Sequence, residues 1–556
     1  MNQKLENILN VSLDATEDEL RKADSLSTGY NWRDNTWEII VKYSGSLESI
    51  RNRYNVYIKE LLNYYAIIVA DKATIELISQ EDVIDYVEKP KSLYYQIERT
   101  KTAACVGSVR ADGNILSGKG VIVGVIDTGI DIFDNAFRNS DGTTRILNIY
   151  DQTTGEKYDK QSIDEYIRLN EDLSGGTFSY DNAPGVDNIM HGTDVSYIAA
   201  GSLGVAYEAD IIAVKMGYSI NNQFPRTTSL MDAIDYIIRK AIEYRKPVAV
   251  NISYGCNYGA HNGNTLLESF IDDISKSYRC VICVGSGNEA DKAIHFGGII
   301  NTGQVQTAYL SVGEYQSAID IQIWKNYWDT IDVMLINPRG EQIGIITEGR
   351  INRYETYNTE IITLLGEPSP YNIYQEIYIN LIPKTDYILS GIWQIVLMAG
   401  SIRAGEYNIW LPSSQALGYA TAFNNPTADG TITIPATARN CIAVGAYNAY
   451  TNSYAAFSGR GFDNSIRNVN AGVKPDITYR NVTGTSYAVP VVTGAAALLM
   501  QWGIVMGNDR FMYGEKLKAA LIDGSKPVGL VGITRNDNQP DPRTGWGLKN
   551  TLNKIL

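Results

Sequence analysis

The sequence predicts an α/β protein organised around a doubly wound, mostly parallel sheet, with an α+β domain before the sheet and an all-β domain inserted into it. Three observations predict this class: apolar strand patterns that alternate with helical stretches, a separate strand–helix pattern in the first hundred residues, and a long tyrosine-rich region of short alternating segments. A chain of 556 residues is too long for one hydrophobic core. We therefore expect several domains.

The N-terminal domain, assigned to residues 1–96, has the periodicities of a small α+β fold. Asp71 is a candidate N-cap for one of its helices. The predicted elements are a strand at 37–43, a helix at 46–55, strands at 56–61 and 64–69, a helix at 73–80 and a strand at 84–88. This βαββαβ order is that of a split βαβ fold. The polar stretch 88–107 is interpreted as a linker.

The doubly wound domain is assigned to two segments, residues 97–291 and 413–556. Near-continuous apolar runs in these segments are typical of strands buried on both faces of a parallel sheet. The runs lie at 120–127, 211–214, 248–252, 281–284 and 441–445. A helical pattern at 229–244 separates two of them. Strand–helix alternation of this kind indicates a doubly wound sheet.

Residues 292–412 have a different character and are assigned to the inserted domain. This region is rich in Tyr, Ile, Thr and Trp. Segments 318–324 and 331–336 alternate apolar and polar residues, and an Asn-Pro-Arg-Gly turn at 337–340 follows the second. The pattern predicts an all-β domain, a β-sandwich or jelly roll, and we assign the jelly roll.

Charge and the first residues restrict the partners and the location of the protein. The chain has 48 basic and 62 acidic residues, a net charge of −14, which argues against nucleic acid or anionic membranes as partners. The polar start, residues 1–6, lacks the apolar core of a signal peptide, so we expect synthesis in the cytoplasm. The longest predicted apolar helix, 494–506, is too short to span a bilayer, so no transmembrane segment is predicted.

The five cysteines predict neither a disulfide scaffold nor a metal site. Cys280 and Cys283 form a C-x-x-C, but they lie in a predicted buried strand, where residues three apart point to opposite faces. No second pair completes a zinc site, so both are predicted as core residues. Asp134 and Asp181 are as consistent with surface charges as with calcium ligands. We predict no metal site and no cofactor.

Four residues carry the chemistry that the sequence predicts. Asp127 ends a predicted buried strand, His191 precedes a predicted helix at 194–200, and Ser486 begins an apolar helix. A serine hydroxyl needs a base to accept its proton, and the base needs a carboxylate to hold its tautomer. Asn288 offers an amide donor for the oxyanion. Each signature alone is also typical of a turn or a helix cap, but the set predicts a catalytic triad and its oxyanion hole.

The segments around these four residues resemble the signature blocks of the subtilase family, which has its triad in the order Asp, His, Ser. The resemblance implies a subtilisin-like fold and serine endopeptidase activity on protein substrates. It also implies that the substrate-binding residues are Ser253, Tyr254, Gly255, Gly285, Ser286 and Gly287. Calcium, which many subtilases bind, stays open. The N-terminal domain is similar to a subtilase propeptide, which assists folding and places its tail in the active site.

Within the family, the chain is most similar to the Csp germination proteases of clostridial spores. The shared features are the polar N-terminus, the propeptide-like domain, the inserted β domain and the stretch 254–263. The resemblance implies limited proteolysis that activates the zymogen of a cell-wall cortex hydrolase, retention in the spore, and a cleaved propeptide that stays bound. We place the propeptide cleavage region at Tyr95, Gln96 and Ile97, with Gln96 before the cut.

Two alternatives remain at this point. The first is a catalytically silent germinant sensor or scaffold, because some members of the Csp group have lost triad residues, although this chain retains all of them. The second is a housekeeping intracellular subtilase that degrades unfolded protein. The inserted domain is unusual for that class.

Overall fold

The structure is a computed structural model. It describes residues 2–96, 116–174, 183–217, 224–346, 349–448, 451, 453–462, 473–480, 484–526 and 540–549. Ile97 of the predicted cleavage region, Cys105 and Asp181 lie outside these residues. The α/β fold class with an α+β domain at the N-terminus is confirmed.

The N-terminal domain contains the predicted βαββαβ order. Its elements are α1 (Asn7–Asp14), α2 (Glu17–Lys22), α3 (Asp24–Ser27), β1 (Tyr30–Asn31), β2 (Thr36–Tyr43), α4 (Glu48–Tyr54), β3 (Tyr57–Leu61), β4 (Tyr65–Ala70), α5 (Lys72–Ile78), β5 (Ile84–Glu88) and β6 (Tyr94–Tyr95). Strands β1 to β5 form one antiparallel sheet. Asp71 caps α5 as predicted, because its Oδ1 accepts the N–H of Thr74.

Helices α1 to α3 were not predicted. A capping box begins α2: Thr16 Oγ1 accepts the N–H of Glu19, and the Glu19 carboxylate accepts the N–H of Thr16. The Thr-x-x-Glu spacing at 16–19 is the signal for such a start and is visible in the sequence.

The first segment of the doubly wound domain supplies the centre of its sheet. Its elements are β7 (Ile122–Asp127), β8 (Ile146–Asp151), β9 (Glu156–Asp159), α6 (Lys160–Ser174), α7 (His191–Ala200), β10 (Asp210–Lys215), α8 (Thr227–Tyr244), β11 (Val248–Ile252), β12 (Tyr254–Gly255), α9 (Leu266–Ser277) and β13 (Cys280–Gly285). Strands β8, β10, β7, β11 and β13 are parallel neighbours in that order. The order changes direction at β7, and such a point forms a ligand crevice at the carboxyl ends of the strands.

The inserted domain consists of two antiparallel sheets packed around their own core. Its strands are β14 (His295–Ile299), β15 (Val305–Val312), β16 (Ile319–Asn326), β17 (Ile331–Ile336), β18 (Gln342–Ile343), β19 (Ile351–Glu355), β20 (Thr359–Leu365), β21 (Tyr374–Pro383), β22 (Gly391–Ala399), β23 (Glu406–Trp410) and β24 (Ala422–Phe423). The all-β class is as predicted, and the jelly-roll connectivity stays a prediction. The predicted boundary at 412 falls before β24, which still pairs with β15.

The chain then completes the doubly wound domain. The elements are β25 (Ile442–Asn448), β26 (Ser453–Tyr454), β27 (Ile477–Arg480), α10 (Thr485–Met500), α11 (Gly514–Asp523), β28 (Ser525–Lys526) and β29 (Leu548–Lys549). One core lies between the sheet and α7, α10 and α11, and the other between the sheet and α8 and α9. Cys283 lies in the first core and Cys280 in the second, so the two cysteines do point to opposite faces as predicted.

Among the described residues, one helical run, Thr485–Val505, is long and apolar enough to cross a membrane by length and composition. The sequence argument that the apolar stretch at 494–506 is too short was therefore wrong, because the helix begins at Thr485. Its apolar character has a structural cause: every residue of α10 except Tyr487 is buried in the fold.

The N-terminal domain and the inserted domain share a hydrophobic core. Apolar residues of α1 to α3 and of the N-terminal sheet pack against Ile362 and Leu364 of β20 and Tyr378 of β21. At the edge of this contact, the Arg353 guanidinium lies 2.8 Å from carboxylate oxygens of Asp14 and of Glu19. The two domains therefore support each other although residues 97–291 lie between them in the chain.

Glu376 of β21 is a buried carboxyl between these two domains. Its Oε1 accepts a hydrogen bond from Gln322 Nε2 at 2.7 Å, and its Oε2 accepts one from Asn7 Nδ2 at 3.3 Å. Burial, together with the nearby Glu6 carboxylate, raises the pKa of Glu376 to about 8. Folding therefore favours the protonated form of this side chain at neutral pH.

We expect this carboxyl to make the full chain less stable as pH rises. The contribution of Glu376 to the free energy of unfolding is complete below its unfolded pKa of about 4.3. It is lost as pH rises towards the folded pKa, and the loss between about pH 5 and pH 8 is on the order of 3 kcal/mol. Thermal unfolding across that range should show a smaller pH dependence for Glu376→Gln. The control Glu314→Gln, at an exposed loop position of the inserted domain, should behave as the wild type. Equal pH slopes for all three proteins would contradict this prediction.

Candidate active site

The last residues of the N-terminal domain, Lys91 to Gln96, which we call the tail, form an added strand in a crevice of the doubly wound domain. The Leu93 N–H donates to the Pro225 carbonyl at 2.7 Å, and the Gln96 N–H donates to the Ser253 carbonyl at 3.2 Å. Strand β6 pairs antiparallel with β12. The prediction of a linker at 88–107 was therefore wrong for its described part, because backbone hydrogen bonds hold the tail on two sides.

The Gln96 side chain fills a pocket with glycines in its walls. Its Nε2 donates to the Gly285 carbonyl at 3.2 Å and to Thr433 Oγ1 at 3.0 Å. A Cβ at Gly285 would lie 1.9 Å from Gln96 Oε1, and one at Gly255 would lie 2.7 Å from Gln96 Nε2. Only glycine leaves room for this amide at both positions. The pocket therefore accommodates an uncharged amide side chain and binds its N–H group.

Of the six predicted substrate-binding residues, Ser253, Tyr254, Gly255 and Gly285 contact the tail directly. Gly287 lies behind them, where a Cβ would meet the Thr433 side chain at 2.5 Å. Ser286 also supports the pocket wall: its carbonyl accepts the Thr433 N–H at 3.1 Å, and its Oγ lies 3.3 Å from Ser458 Oγ. Thr433 itself was missed, because no sequence signal links a residue so far along the chain to this pocket.

The backbone carbonyl of Gln96 lies at Ser486, with Asn288 nearby. Ser486 Oγ donates a hydrogen bond to the Gln96 carbonyl oxygen. The Asn288 side chain is fixed by its Oδ1, which accepts the Thr485 N–H at 3.0 Å. Asn288 Nδ2 and His191 Nε2 are both buried, and neither has a hydrogen-bond partner among the residues that the structure describes. Asn288 Nδ2 lies near the bound carbonyl, since a Cβ at Gly484 would be 2.8 Å from the Gln96 oxygen and 3.2 Å from Asn288 Nδ2.

Asp127 and His191 form a buried pair, with His191 Nδ1 2.6 Å from Asp127 Oδ1. Asp127 ends β7 and His191 begins α7, as predicted. Burial opposes the charged imidazolium, but the Asp127 carboxylate outweighs burial, and the pKa of His191 is raised above its ordinary value. The carboxylate accepts the Nδ1 proton, which leaves Nε2 as the basic nitrogen of the neutral ring.

Asp187 is a second buried carboxylate at this site, and the sequence reasoning missed it. Its Oδ1 accepts from Thr128 Oγ1 at 2.7 Å and from the Met190 N–H at 2.9 Å, and its Oδ2 accepts from the Thr193 N–H and Oγ1, both at 2.8 Å. Asp187 thereby fastens the residue after Asp127 to the first turn of α7. Its Oδ1 also accepts the Ile189 N–H at 3.2 Å, so Asp187 closes a turn before α7, and an Asp in this position is a turn signal that the sequence offers.

Within the described part of the chain, no group of three or more His, Cys, Asp and Glu side chains is arranged to hold a metal. Asp134, considered above as a calcium ligand, caps a short 3₁₀ turn, because its Oδ1 accepts the Ala136 N–H at 2.8 Å.

Comparison with known proteins assigns the chain to a family. A subtilase family profile matches residues 118–368 and 413–547. The chain belongs to the subtilase family. A second profile, that of the Csp protease B prodomain, matches residues 3–91 of this subtilase. The N-terminal domain is therefore a prodomain of the CspB type.

A solved structure supports the same assignment. The CspB protease of Clostridium perfringens is 34% identical to this subtilase, and the match covers 80% of this chain and 94% of that one with a TM-score of 0.71. Among curated proteins, the autotransporter lipoprotein NalP of Neisseria meningitidis is 37% identical over 67 residues, which are 12% of this chain and 5% of NalP. This subtilase therefore spans a very small part of the length of NalP.

Peptide hydrolysis by this subtilase should require neutral His191. Because Asp127 raises the imidazole pKa, we expect kcat/KM to rise with pH through an apparent pKa above about 6.5. Asp127→Asn should lower the rate about 10⁴-fold and move the remaining midpoint to lower pH. The measurement is kcat/KM for a peptide with glutamine before the cut, across about pH 5 to 9. A wild-type midpoint below about 6.5 would contradict the prediction.

Thr433 should determine the preference for glutamine. Thr433→Val keeps the shape of the side chain but leaves the substrate amide without its Oγ1 partner, which should lower kcat/KM for a glutamine peptide by roughly tenfold. A matched peptide with methionine at the same position is the control, and its hydrolysis should fall by less than twofold. An equal loss for both peptides would show that Thr433 acts on something other than the amide.

Proposed function

We propose that this subtilase is a serine endopeptidase that makes limited cuts after glutamine and first removes its own prodomain. One observation carries the proposal: the carbonyl group of Gln96 lies at Ser486 while the Gln96 side chain fills the pocket. An extended segment bound in this way presents one peptide bond to the serine, as a substrate does.

The proposed roles combine the contacts of Ser486 and Asp127 with the chemistry of a serine–histidine–aspartate triad. Ser486 Oγ attacks the carbonyl carbon of Gln96, and His191 Nε2 accepts the serine proton and then delivers it to the leaving amine. Asp127 holds the imidazole and stabilises its charged form. Asn288 Nδ2, buried and unpaired beside the tail, donates to the oxyanion as it forms. A donor of this kind contributes roughly 2.7–4 kcal/mol to the stability of the transition state.

After this cut, we propose that the tail stays in the crevice and limits further activity. The strand pairing, the filled pocket and the shared core with the inserted domain all remain available to a cleaved prodomain. Such a complex would act on a substrate only where the tail is displaced. This behaviour favours a regulated cut over bulk digestion and argues against the housekeeping alternative.

For the biological role, we propose activation of a cell-wall cortex hydrolase zymogen during spore germination, by a protease retained in the spore. The support is the CspB-type prodomain and the likeness to the C. perfringens CspB protease. The substrate would present an exposed glutamine in an extended segment, because the crevice binds backbone on both sides of the strand.

A catalytically silent sensor or scaffold is the second candidate. The observation that favours it is the filled crevice: the tail is hydrogen-bonded to Ser486, and His191 Nε2 has no partner in the part of the chain that the structure describes. A permanently docked tail would keep the triad intact but unused.

Self-processing separates the two candidates. The wild type should yield a mature chain that begins at Ile97, together with a prodomain that ends at Gln96, whereas Ser486→Ala should remain one full-length chain. N-terminal sequencing and intact mass of the purified proteins provide the measurement. The purified wild type should also react with a fluorophosphonate probe at Ser486. Full-length wild type that resists the probe would favour the silent scaffold.

A further inference from the structure

A loop of the inserted domain reaches the active-site crevice. This loop, residues 411–421, connects β23 to β24, and both strands belong to the inserted sheets. Gln415 in the loop donates from its Nε2 to the Tyr95 carbonyl oxygen at 2.5 Å. Tyr95 immediately precedes Gln96, so Gln415 binds the carbonyl of the second residue before the proposed cut.

The near end of the loop is anchored beside the oxyanion donor. Glu289, which follows Asn288 in the chain, is only 6% exposed. Its carboxylate accepts hydrogen bonds from Ser413 Oγ at 2.8 Å and from the Ser414 N–H at 3.1 Å. Glu289 therefore ties the residue next to Asn288 to the segment that carries Gln415.

The far end of the loop is fixed to the inserted domain. The Gly418 N–H donates to Gln316 Oε1 at 2.8 Å, and the Thr421 Oγ1 accepts the Gly313 N–H at 3.1 Å. Beyond these contacts, β24 pairs with β15. With both ends held, the backbone that carries Gln415 is positioned before any chain enters the crevice, and less conformational entropy is lost on binding.

We propose that the inserted domain supplies part of the substrate-binding crevice: Gln415 binds the carbonyl of the second residue before the cut, and Glu289 is the positioning residue that holds its loop. The inference rests on the proposed function, because it takes the tail as a stand-in for substrate. Gln415 contacts a backbone oxygen, so its effect should not depend on which side chain the substrate carries there.

Peptide hydrolysis by the full chain tests the contact. The substrate is Leu-Tyr-Tyr-Gln joined to a chromogenic amine, and a second version has a thioamide in place of the carbonyl between its last Tyr and Gln. Sulfur is the weaker acceptor. For the wild type, the thioamide should lower kcat/KM by about threefold to tenfold, mainly through KM. For Gln415→Ala, both peptides should react at that lower level.

The outcome that would overturn the proposal is an equal thioamide effect in the wild type and in Gln415→Ala, because the oxygen would then have no contact with this side chain. Glu289→Gln should lower kcat/KM for the peptide with the normal carbonyl, by less than Gln415→Ala does. The double variant Glu289→Gln/Gln415→Ala should have the same kcat/KM as Gln415→Ala alone. Gln342→Ala, at an exposed position of the inserted domain, is the matched control and should leave both rates unchanged.

A second measurement does not depend on catalysis. In Ser486→Ala the chain stays uncut, and hydrogen exchange of the tail amides at residues 91–96 reports how firmly the tail is held. Adding Gln415→Ala should speed exchange in this segment by about threefold to tenfold, and adding Gln342→Ala should not. Unchanged exchange in both would overturn the proposal. A wild type that never processes itself would count against the proposed function alone.

Discussion

The contact between Ser486 and the carbonyl of Gln96 constrains the rest of the structure, because it requires the end of one domain to lie at the centre of another. An extended tail can reach that point only if the N-terminal domain docks beside the crevice in one orientation. Polar contacts outside the tail meet this requirement: Asp235 of α8 accepts the Leu62 N–H at 2.8 Å, and Asp273 of α9 accepts from Tyr65 OH at 3.0 Å. The surface of α8 and α9 therefore helps to determine which residue of the tail lies at Ser486.

Register is the second requirement, since a slip of one residue would present a different side chain to the pocket. Lys91, five residues before Gln96, is buried and forms ion pairs with Glu6 and Glu88. Burial disfavours its charge, but the two carboxylates outweigh burial and raise the pKa of Lys91. Moving this ammonium out of its pairing would leave buried charges unpaired, which is strongly destabilising. The tail is thus fixed at one end by an ion pair and at the other by the glutamine pocket.

Local pattern was enough to predict the strands and helices that hold Asp127, His191 and Ser486. Asp127 and Ser486 lie at element ends because apolar runs with sharp boundaries define those ends. The pocket was harder to predict, since Thr433 reaches Gln96 only through long-range folding and has no local signature. Asp187 had a local signature, an Asp turn with the Ile189 and Met190 N–H groups, but its partner Thr128 is 59 residues away. Periodicity and motif spacing describe residues that are near each other in the chain. They therefore do not predict contacts between residues that are far apart in the sequence.

The inserted domain helps to keep the N-terminal domain and its tail docked on the doubly wound domain. It shares a hydrophobic core with the N-terminal domain on one side, and on another its loop touches the Tyr95 carbonyl through Gln415. Glu289, the residue next to Asn288, accepts a hydrogen bond from Ser413 in the same loop. A change in how the inserted domain sits would therefore act on the bound tail and on the segment next to Asn288 together. Because Gln415 donates to a backbone oxygen, the proposed function has the inserted domain bind the tail and a substrate in the same way, so that the two compete for one crevice. Under that proposal, displacement of the tail is the step at which the protease is controlled.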